Sequence, residues 1–436
     1  RIDMYASHIG KQLLHLYNER TGRNFSAREF FDKEFFPVFY DHPRYLQWVT
    51  NSPFVQGYRS NTPPDAIARR EKLEILHNKV STVAADGSFA IGFPAAELTA
   101  TTSGQVSTLE IPVENEDVYC SWIGAGLGVG VKGGYVLHIN NPEVLWILFQ
   151  GWQHYRELLN QTSTLKPNQI DTWNGHWLHH ALSRDFDPIR PTANRLNLME
   201  TQKDGSQLIP TIGWVNIVFA LTRKFPLQDI MAYVFSLGQT NKTIGFIQLK
   251  LKEVKHLHEA YTKYFGTQEI STKQMEDLYE TALGFEIACE NGAIGLRTIE
   301  PKQLREYMPT RFGKSKLPVY KNNEETTITF NIYQSWLIAM LNNTDLLQLA
   351  SRTAETLHEY ASAADRAKTT RANNVDKTLK ATNRRLFIDG LTDIHKDEPS
   401  KDPLFDELVG VLHILPVDNF PYFLTLLRFK YARLSA

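Results

Sequence analysis

The chain has 436 residues, of which 42% are hydrophobic, 22% are charged and 11% are aromatic. This composition excludes a largely disordered protein, and the length predicts about two to three domains. A polytopic membrane protein is excluded too, because mean hydropathy is -0.33 and no run of about 18 uncharged apolar residues occurs. The 47 basic and 48 acidic side chains give a net charge of -1, so any contact with nucleic acid depends on local positive charge.

The two cysteines, Cys120 and Cys289, lie far apart and exclude a disulfide scaffold. They predict two buried thiols in a reducing compartment. The sequence begins at Arg1 rather than at a methionine, so the native start is not visible, and no signal-peptide pattern is present. We therefore expect a cytoplasmic protein that does not enter a membrane.

Helices dominate the start of the chain. Apolar residues at helical spacing predict a helix over residues 4–20. The residues Ser26-Ala27-Arg28-Glu29 form a capping box, which predicts that a second helix starts there. Prolines then interrupt the pattern, and residues 54–64 have the glycine, asparagine and proline content of a loop.

Between about residues 80 and 140, alternating apolar residues replace the helical period. Strands are predicted at Phe89–Phe93, Val106–Val113 and Tyr135–Ile139. Asn141 followed by Pro142 is a typical helix start, and it predicts a strongly apolar helix that continues to about Gln161.

Helical periodicity is almost unbroken after residue 331. The candidate helices there are 331–342, 345–368, 375–395, 402–414 and 420–433, and an earlier capping box at Ser271–Gln274 predicts a helix to about Ala288. The predicted fold class is therefore α+β. A mixed α/β body over residues 1–330, with a β-rich glycine-containing segment, precedes an all-α bundle over residues 331–436.

The stretch Gly128-Val129-Gly130-Val131-Lys132-Gly133 matches the dinucleotide-binding pattern GxGxxG. That motif binds a pyrophosphate only when it opens a helix, whereas the residues after Gly134 predict a strand. A glycine-rich hairpin is favoured instead. Either another backbone packs closely against it, or Lys132 faces a nucleic acid.

Two weaker patterns suggest metal chemistry. His176 and His179 could share a helix face and bind zinc, but no HExxH pattern and no cysteine pair accompanies them. Glu253 and Lys255 follow an apolar, strand-like stretch and resemble half of a metal-dependent nuclease site. A solvated strand or helix surface explains the latter pair equally well, and no metal ligand or catalytic residue is assigned.

The largest local excess of positive charge is near the C-terminus, where seven cations accompany a single acid, Asp376, between residues 366 and 385. Lys377, Lys380 and Arg384 recur at helical spacing, which predicts one cationic helix face able to contact successive phosphates. A solvated face, or acidic partners elsewhere in the bundle, is the alternative. The candidate phosphate-binding residues are Arg366, Lys368, Arg371, Lys377, Lys380, Arg384 and Arg385.

Several strings resemble the large subunit of type I CRISPR Cascade complexes. In the C-terminal half these are Asn383–Leu391 (NRRLFIDGL), Phe405–Val411 (FDELVGV) and Leu412–Phe423 (LHILPVDNFPYF). In the N-terminal half, Phe35–Pro43 (FFPVFYDHP) and Gly151–Arg156 (GWQHYR) are similar in character. The order of a mixed body followed by a helical bundle also fits, so the resemblance covers the whole chain with modest specificity.

The resemblance implies a non-catalytic subunit that recognises a short protospacer-adjacent motif, helps to unwind the duplex, stabilises the R-loop and recruits a nuclease. Its partners would be the guide RNA, target double-stranded DNA, the Cascade backbone subunits and a helicase-nuclease, with no cofactor. The N-terminal body would read the motif and assemble the complex, and the bundle would bind strands.

Loop chemistry alone supplies the motif-reading candidates, which are Asn51, Gln56, Arg59 and Asn61, with Lys132 as a further nucleic-acid contact. The near-neutral total charge departs from a simple DNA-binding protein, although other subunits could supply positive potential. The alternatives are a metal-dependent nuclease and a helical scaffold without DNA contact.

Overall fold

The computed structural model describes residues 4–44, 64–87, 89–93, 113–192, 198–236, 243–266, 277–279, 284–310, 315–363 and 368–436. The chain divides into two compact units. The first comprises Arg1–Leu251 with Phe285–Ile294, and the second comprises Lys252–Gly284 with Gly295–Ala436. A five-stranded sheet with helices forms the first unit and helices dominate the second, which confirms the predicted α+β class.

The first unit begins with helices that the sequence predicts. Helix α1 spans Tyr5–Thr21. Ser26 and Glu29 form the expected capping box at the start of α2 (Ala27–Phe30). The backbone then continues through a π-helical segment, Phe31–Phe35, into α3 (Phe36–Phe39). The phenylalanines of this stretch are buried whereas Lys33 is exposed, so one side of the π-helical segment packs into the core.

The central sheet is mixed. Its strands are β1 (Val129–Val131), β2 (Tyr135–Ile139), β5 (Ile230–Ser236), β6 (Thr243–Leu249) and β7 (Ala293–Ile294), while β3 (Glu200–Thr201) and β4 (Gln207–Leu208) form a separate ribbon. The order in the sheet is β1-β2-β5-β6-β7, and all pairs are antiparallel except β6 with β7, which is parallel. The strand predicted at Tyr135–Ile139 is confirmed.

Further helices of the first unit accompany the sheet. These are α4 (Ala66–Thr82), α5 (Asn115–Ala125), α6 (Pro142–Gln161), α7 (Ile170–Ala181), α8 (Trp214–Lys224) and α10 (Phe285–Cys289). Helix α6 has the predicted bounds because the Asn141 side chain accepts a hydrogen bond from the Val144 amide at 3.1 Å, and Pro142 occupies the first turn.

The strand predicted at Phe89–Phe93 is wrong. These residues form turns and bends, and Ala90 N–H donates to the Asp86 carbonyl at 2.9 Å. The Phe89 carbonyl accepts from the Trp122 indole at 2.7 Å, so a side chain takes the place of a neighbouring strand. The strand predicted at Val106–Val113 lies almost wholly outside the described residues.

The second unit is largely helical. Its helices are α9 (Leu251–Phe265, which starts in the first unit), α11 (Glu324–Leu341), α12 (Thr344–Ser362), α13 (Lys368–Leu379), α14 (Arg384–Asp397), α15 (Asp402–Ile414) and α16 (Phe420–Leu434). Single 3-10 turns occur at Leu304–Tyr307, Pro399–Lys401 and Val417–Asn419. The boundary predicted between residues 330 and 331 falls inside α11 and inside this unit.

One of the helices predicted here is wrong and another falls outside the described residues. The single helix predicted over 375–395 is divided into α13 and α14, because Asn383 caps a new helix by accepting from the Leu386 amide at 3.0 Å. The helix predicted from Ser271 to Ala288 lies mainly outside the described residues, although α10 occupies its end. Within the described part of the chain, every helix is too short or too polar to cross a bilayer.

Candidate nucleic-acid interface

Six of the seven basic candidates near the C-terminus lie on two adjoining helices or in the turn between them. Lys368, Arg371 and Lys377 belong to α13, and Lys380 follows it directly. Arg384 and Arg385 open α14, which packs against α13. Arg366 lies outside the described residues.

The predicted single cationic helix face is wrong in its geometry. Helix α13 ends at Leu379 and α14 begins at Arg384, so Lys377, Lys380 and Arg384 do not share one helix. The helical spacing of these residues in the sequence therefore does not translate into one continuous row.

Acidic partners meet two of the exposed lysines. Lys377 Nζ lies 2.7 Å from Asp393 Oδ2, and Lys380 Nζ lies 2.7 Å from Asp376 Oδ2. The hydrogen bond to Asp393 raises the pKa of Lys377, and the same bond lowers the pKa of Asp393. The lysine side chains remain 63% and 56% exposed, so water screens both pairs and the ammonium groups face solvent.

Two of the arginines serve the bundle itself. Arg371 pairs with Asp397 at 3.3 Å and lies over the Tyr360 ring, 5.2 Å from its centroid. The Arg384 guanidinium donates to the Leu415 carbonyl, just beyond the end of α15. These contacts use the arginines to join helices.

Lys368 and Arg385 complete the set. Both side chains are exposed, and neither forms an ion pair or hydrogen bond within the described residues. Over residues 368–397 the chain carries seven cations and four acids, a net charge of +3. The excess counted between residues 366 and 385 is reduced because α14 brings acids such as Asp393 and Asp397 beside the cations.

Lys132 lies at the tip of the hairpin between β1 and β2 and is exposed. Gly133 and Gly134 follow it with φ values of 102° and 80°, which favour glycine. The next element is strand β2 rather than a helix, so GxGxxG here builds a hairpin, as the sequence predicts.

The glycines of this hairpin also allow a close backbone approach. A Cβ on Gly130 would lie 3.1 Å from the Asp171 carbonyl, and a Cβ on Gly175 would lie 2.8 Å from the Gly130 oxygen. The Asn174 amide donates to the Gly126 and Gly128 carbonyls at 2.9 and 2.8 Å. Packing of α7 on β1 thus explains the strand glycines, while Lys132 remains exposed beyond them.

The four motif-reading candidates, Asn51, Gln56, Arg59 and Asn61, lie outside the described residues. Their assignment stays a prediction.

The histidine cluster is held by backbone carbonyls. His176 Nε2 lies 2.8 Å from the Pro210 oxygen, and His180 Nε2 lies 2.8 Å from the Pro191 oxygen. The described portion of the chain contains no group of three histidine, cysteine or acidic side chains that could hold a metal ion. The zinc hypothesis for this segment therefore gains no support from the geometry.

Glu253 and Lys255 are placed on helix α9 rather than on a strand. Residues two positions apart on a helix point in different directions, so the two side chains do not share a face as they would on a strand. Lys255 instead pairs with Glu259 at 3.0 Å, and Glu253 accepts from the Leu296 amide at 3.4 Å. This arrangement does not favour the nuclease alternative.

A buried polar chain was not foreseen in the sequence. The Tyr119 hydroxyl lies 2.6 Å from His77 Nδ1, and His77 Nε2 lies 2.9 Å from Asp32 Oδ1. The order of these three groups resembles a catalytic nucleophile, base and carboxylate. However, Tyr119 is only 4% exposed, and its burial raises the pKa of the phenol to about 12. The three side chains therefore connect α4, α5 and the π-helical segment.

The sequence analysis also missed Arg428, the only arginine among the largest fully buried side chains of the described residues. It lies on α16, and its guanidinium donates to backbone carbonyls near the end of α13. Nothing in its spacing separates it from an exposed arginine, because its acceptors are distant in sequence.

Comparison with protein-family models, with curated proteins and with solved structures gives no match to this chain.

Proposed function

We propose that the chain is a non-catalytic nucleic-acid-binding protein that acts as the large subunit of a type I CRISPR Cascade effector. The observation that carries the proposal is that four cations on or next to α13 and α14 are exposed, namely Lys368, Lys377, Lys380 and Arg385; we call them the cationic surface. Phosphates suit this surface because Lys368 and Arg385 have no acidic partner among the described residues. Lys377 and Lys380 pair with exposed aspartates, which a phosphate would replace.

The wider role rests on the sequence resemblance. In that role the protein recognises a protospacer-adjacent motif, aids unwinding, stabilises the R-loop and recruits a helicase-nuclease, together with guide RNA and the backbone subunits. The cationic surface would hold an opened strand, and the exposed Lys132 would add a contact from the β1–β2 hairpin.

The test is binding of the full chain to fluorescein-labelled oligothymidylate over a range of salt concentrations. Replacing Lys368, Lys377, Lys380 and Arg385 with glutamine should weaken binding about 10- to 100-fold. The slope of log K against log salt concentration should also become shallower by about two to three, because each lost phosphate contact removes roughly 0.7 from the slope for single strands.

A matched control removes the same amount of charge elsewhere. Lys166, Arg190, Lys316 and Arg352 are also exposed cations that pair with single acids. Their fourfold glutamine variant should bind like the parent chain. Equal losses in the two variants would show a general charge effect and would contradict the proposed surface.

A helical scaffold without DNA contact is the second candidate. It is favoured by the acids that meet Lys377 and Lys380, and by three exposed aliphatic side chains, Leu386, Ile414 and Val417, on and near α14 and α15. Wild-type affinity and salt slope in the α13–α14 variant would support this role instead.

A further inference from the structure

Arg428 is 1% exposed and donates to four acceptors. Its Nε bonds the Leu379 carbonyl at 2.6 Å, and its Nη2 bonds the Ala381 carbonyl at 3.1 Å. Its Nη1 bonds the Tyr307 carbonyl at 2.6 Å and the Ser315 hydroxyl at 3.1 Å. One guanidinium thus joins α16, the end of α13, the 3-10 turn at Leu304–Tyr307 and Ser315 beyond that turn.

The partners of Arg428 are neutral oxygens, with no carboxylate among them. A buried cation without a counter-charge is costly, and burial lowers the pKa of Arg428 to about 10. The planar guanidinium, a fork of N–H donors, offsets this cost because it donates to several carbonyls at once, whereas a lysine ammonium would reach fewer. The carbonyls at the end of α13 are also the negative end of its helix dipole, which Arg428 neutralises.

The end of α13, which Arg428 holds, lies next to the exposed cations of the cationic surface. Lys377 lies in its last turn, and Lys380 stands between the two carbonyls that Arg428 holds, those of Leu379 and Ala381. Beyond them, the turn leads directly to Arg384 and Arg385 on α14.

We propose that Arg428 is a positioning residue for nucleic-acid binding, which fixes the end of α13 so that Lys377, Lys380 and Arg385 face one phosphate backbone together. The inference rests on the proposed function and adds a residue that itself never touches the ligand. Loss of the fork should lower the number of phosphates engaged even when positive charge is retained.

The experiment compares Arg428→Lys with Arg44→Lys in the full chain. Arg44 is the matched control because it donates to four carbonyls at the end of α6, those of Leu159, Thr162, Ser163 and Leu165, in the first unit. Each change keeps the charge and removes a carbonyl-binding fork, so both should lower Tm by similar amounts.

Only Arg428→Lys should weaken binding to labelled oligothymidylate, by about fivefold, with the salt slope reduced by roughly 0.7, the value of one phosphate. Hydrogen exchange should become at least about tenfold faster at amides 375–381, which shows directly that the end of α13 has loosened. The exchange rate is measured independently of affinity, so it still tests the positioning role of Arg428 if affinity changes for another reason.

Three results separate the two hypotheses. Wild-type slope and affinity in Arg428→Lys, beside a clear loss in the fourfold α13–α14 variant, would overturn the positioning role and leave the proposed function standing. Wild-type binding in both variants would overturn both. Equal binding losses in Arg428→Lys and Arg44→Lys would reduce the effect to general destabilisation and would also overturn the positioning role.

Discussion

Asp171 is a carboxylate enclosed by the packing of α7 on the hairpin. It lies in the first turn of α7 against Gly128, where an added Cβ would meet its Oδ1 at 2.6 Å. The phenol of Tyr155 on α6 is neutral and lies near enough for the Asp171 carboxylate to raise its pKa, and Asp171 retains some contact with solvent. Burial raises the pKa of Asp171 to about 7.

We expect Asp171→Asn to change the pH dependence of stability. The raised pKa means that the folded protein holds this proton more tightly than the unfolded chain, so the stabilising contribution is full below about pH 4 and is lost as pH rises towards 7. At pH 8 the variant should be more stable, by on the order of 2 kcal/mol. Urea unfolding at pH 4, 6 and 8 measures this. A difference between the two proteins that does not vary with pH would contradict it.

Residue types were easier to read from the sequence than their surroundings. Lys368, Lys377 and Arg385 are exposed, which agrees equally with the phosphate-contacting face and with the solvated face that the sequence left open. By contrast, Arg384 and Arg428 bind backbone carbonyls that lie 31 to 121 residues away in the sequence, and Asp393 meets Lys377 from the next helix. Such partners depend on tertiary contacts, which local spacing does not contain.

Helix α7 approaches β1 more closely than side chains would normally allow. Glycines on both elements make this possible, and Gly175 is the helical one. A Cβ added to Gly175 would have the Gly130 oxygen and the Ile212 side chain within 2.9 Å. The same contact holds the base of the hairpin whose tip carries Lys132. The glycines are therefore required by packing.

Gly175→Ala should destabilise the protein by about 2 kcal/mol, because overpacking forces the helix away from the strand. Helix propensity alone predicts the opposite sign, a gain of up to about 1 kcal/mol. Gly410→Ala in α15 is the control, since nothing lies within 4 Å of its added Cβ. Denaturant unfolding should show a loss for the first change and no loss for the second. A stabilised Gly175→Ala protein would show that the close approach relaxes freely.

Local signals predicted elements well where a cap was present. Asn141 with Pro142 gave the correct start of α6, and the Ser26 capping box gave that of α2. The division between α13 and α14 was missed because the apolar period runs through it, although Asn383 is itself a good cap. At Phe89–Phe93 the alternating apolar residues have the pattern of a strand. The backbone there forms turns instead, and the Phe89 carbonyl accepts a hydrogen bond from the Trp122 indole.

For the whole molecule, a net charge of -1 coexists with a net charge of +3 over residues 368–397. Long-range attraction for a polyanion is therefore weak, and the proposed binding would depend on a short, local contact. This separates the protein from basic DNA-binding domains, whose overall charge already favours association.

Photocrosslinking of the full chain to oligothymidylate should accordingly place most crosslinked peptides within residues 368–397, with a smaller yield at Lys132. Mass spectrometry of the digested complex identifies the sites. The fourfold variant at Lys368, Lys377, Lys380 and Arg385 should abolish the first group and spare the second. Crosslinks distributed over the entire chain, or none at all, would contradict a localised interface.

The aspartates that meet Lys377 and Lys380 give this surface a built-in competitor. A phosphate that binds either lysine has to displace its aspartate, which is tethered and therefore present at high effective concentration. A single anion gains little from that exchange, whereas a strand displaces both carboxylates in one event. The surface should therefore bind free nucleotides weakly and favour a strand whose phosphates reach several cations at once.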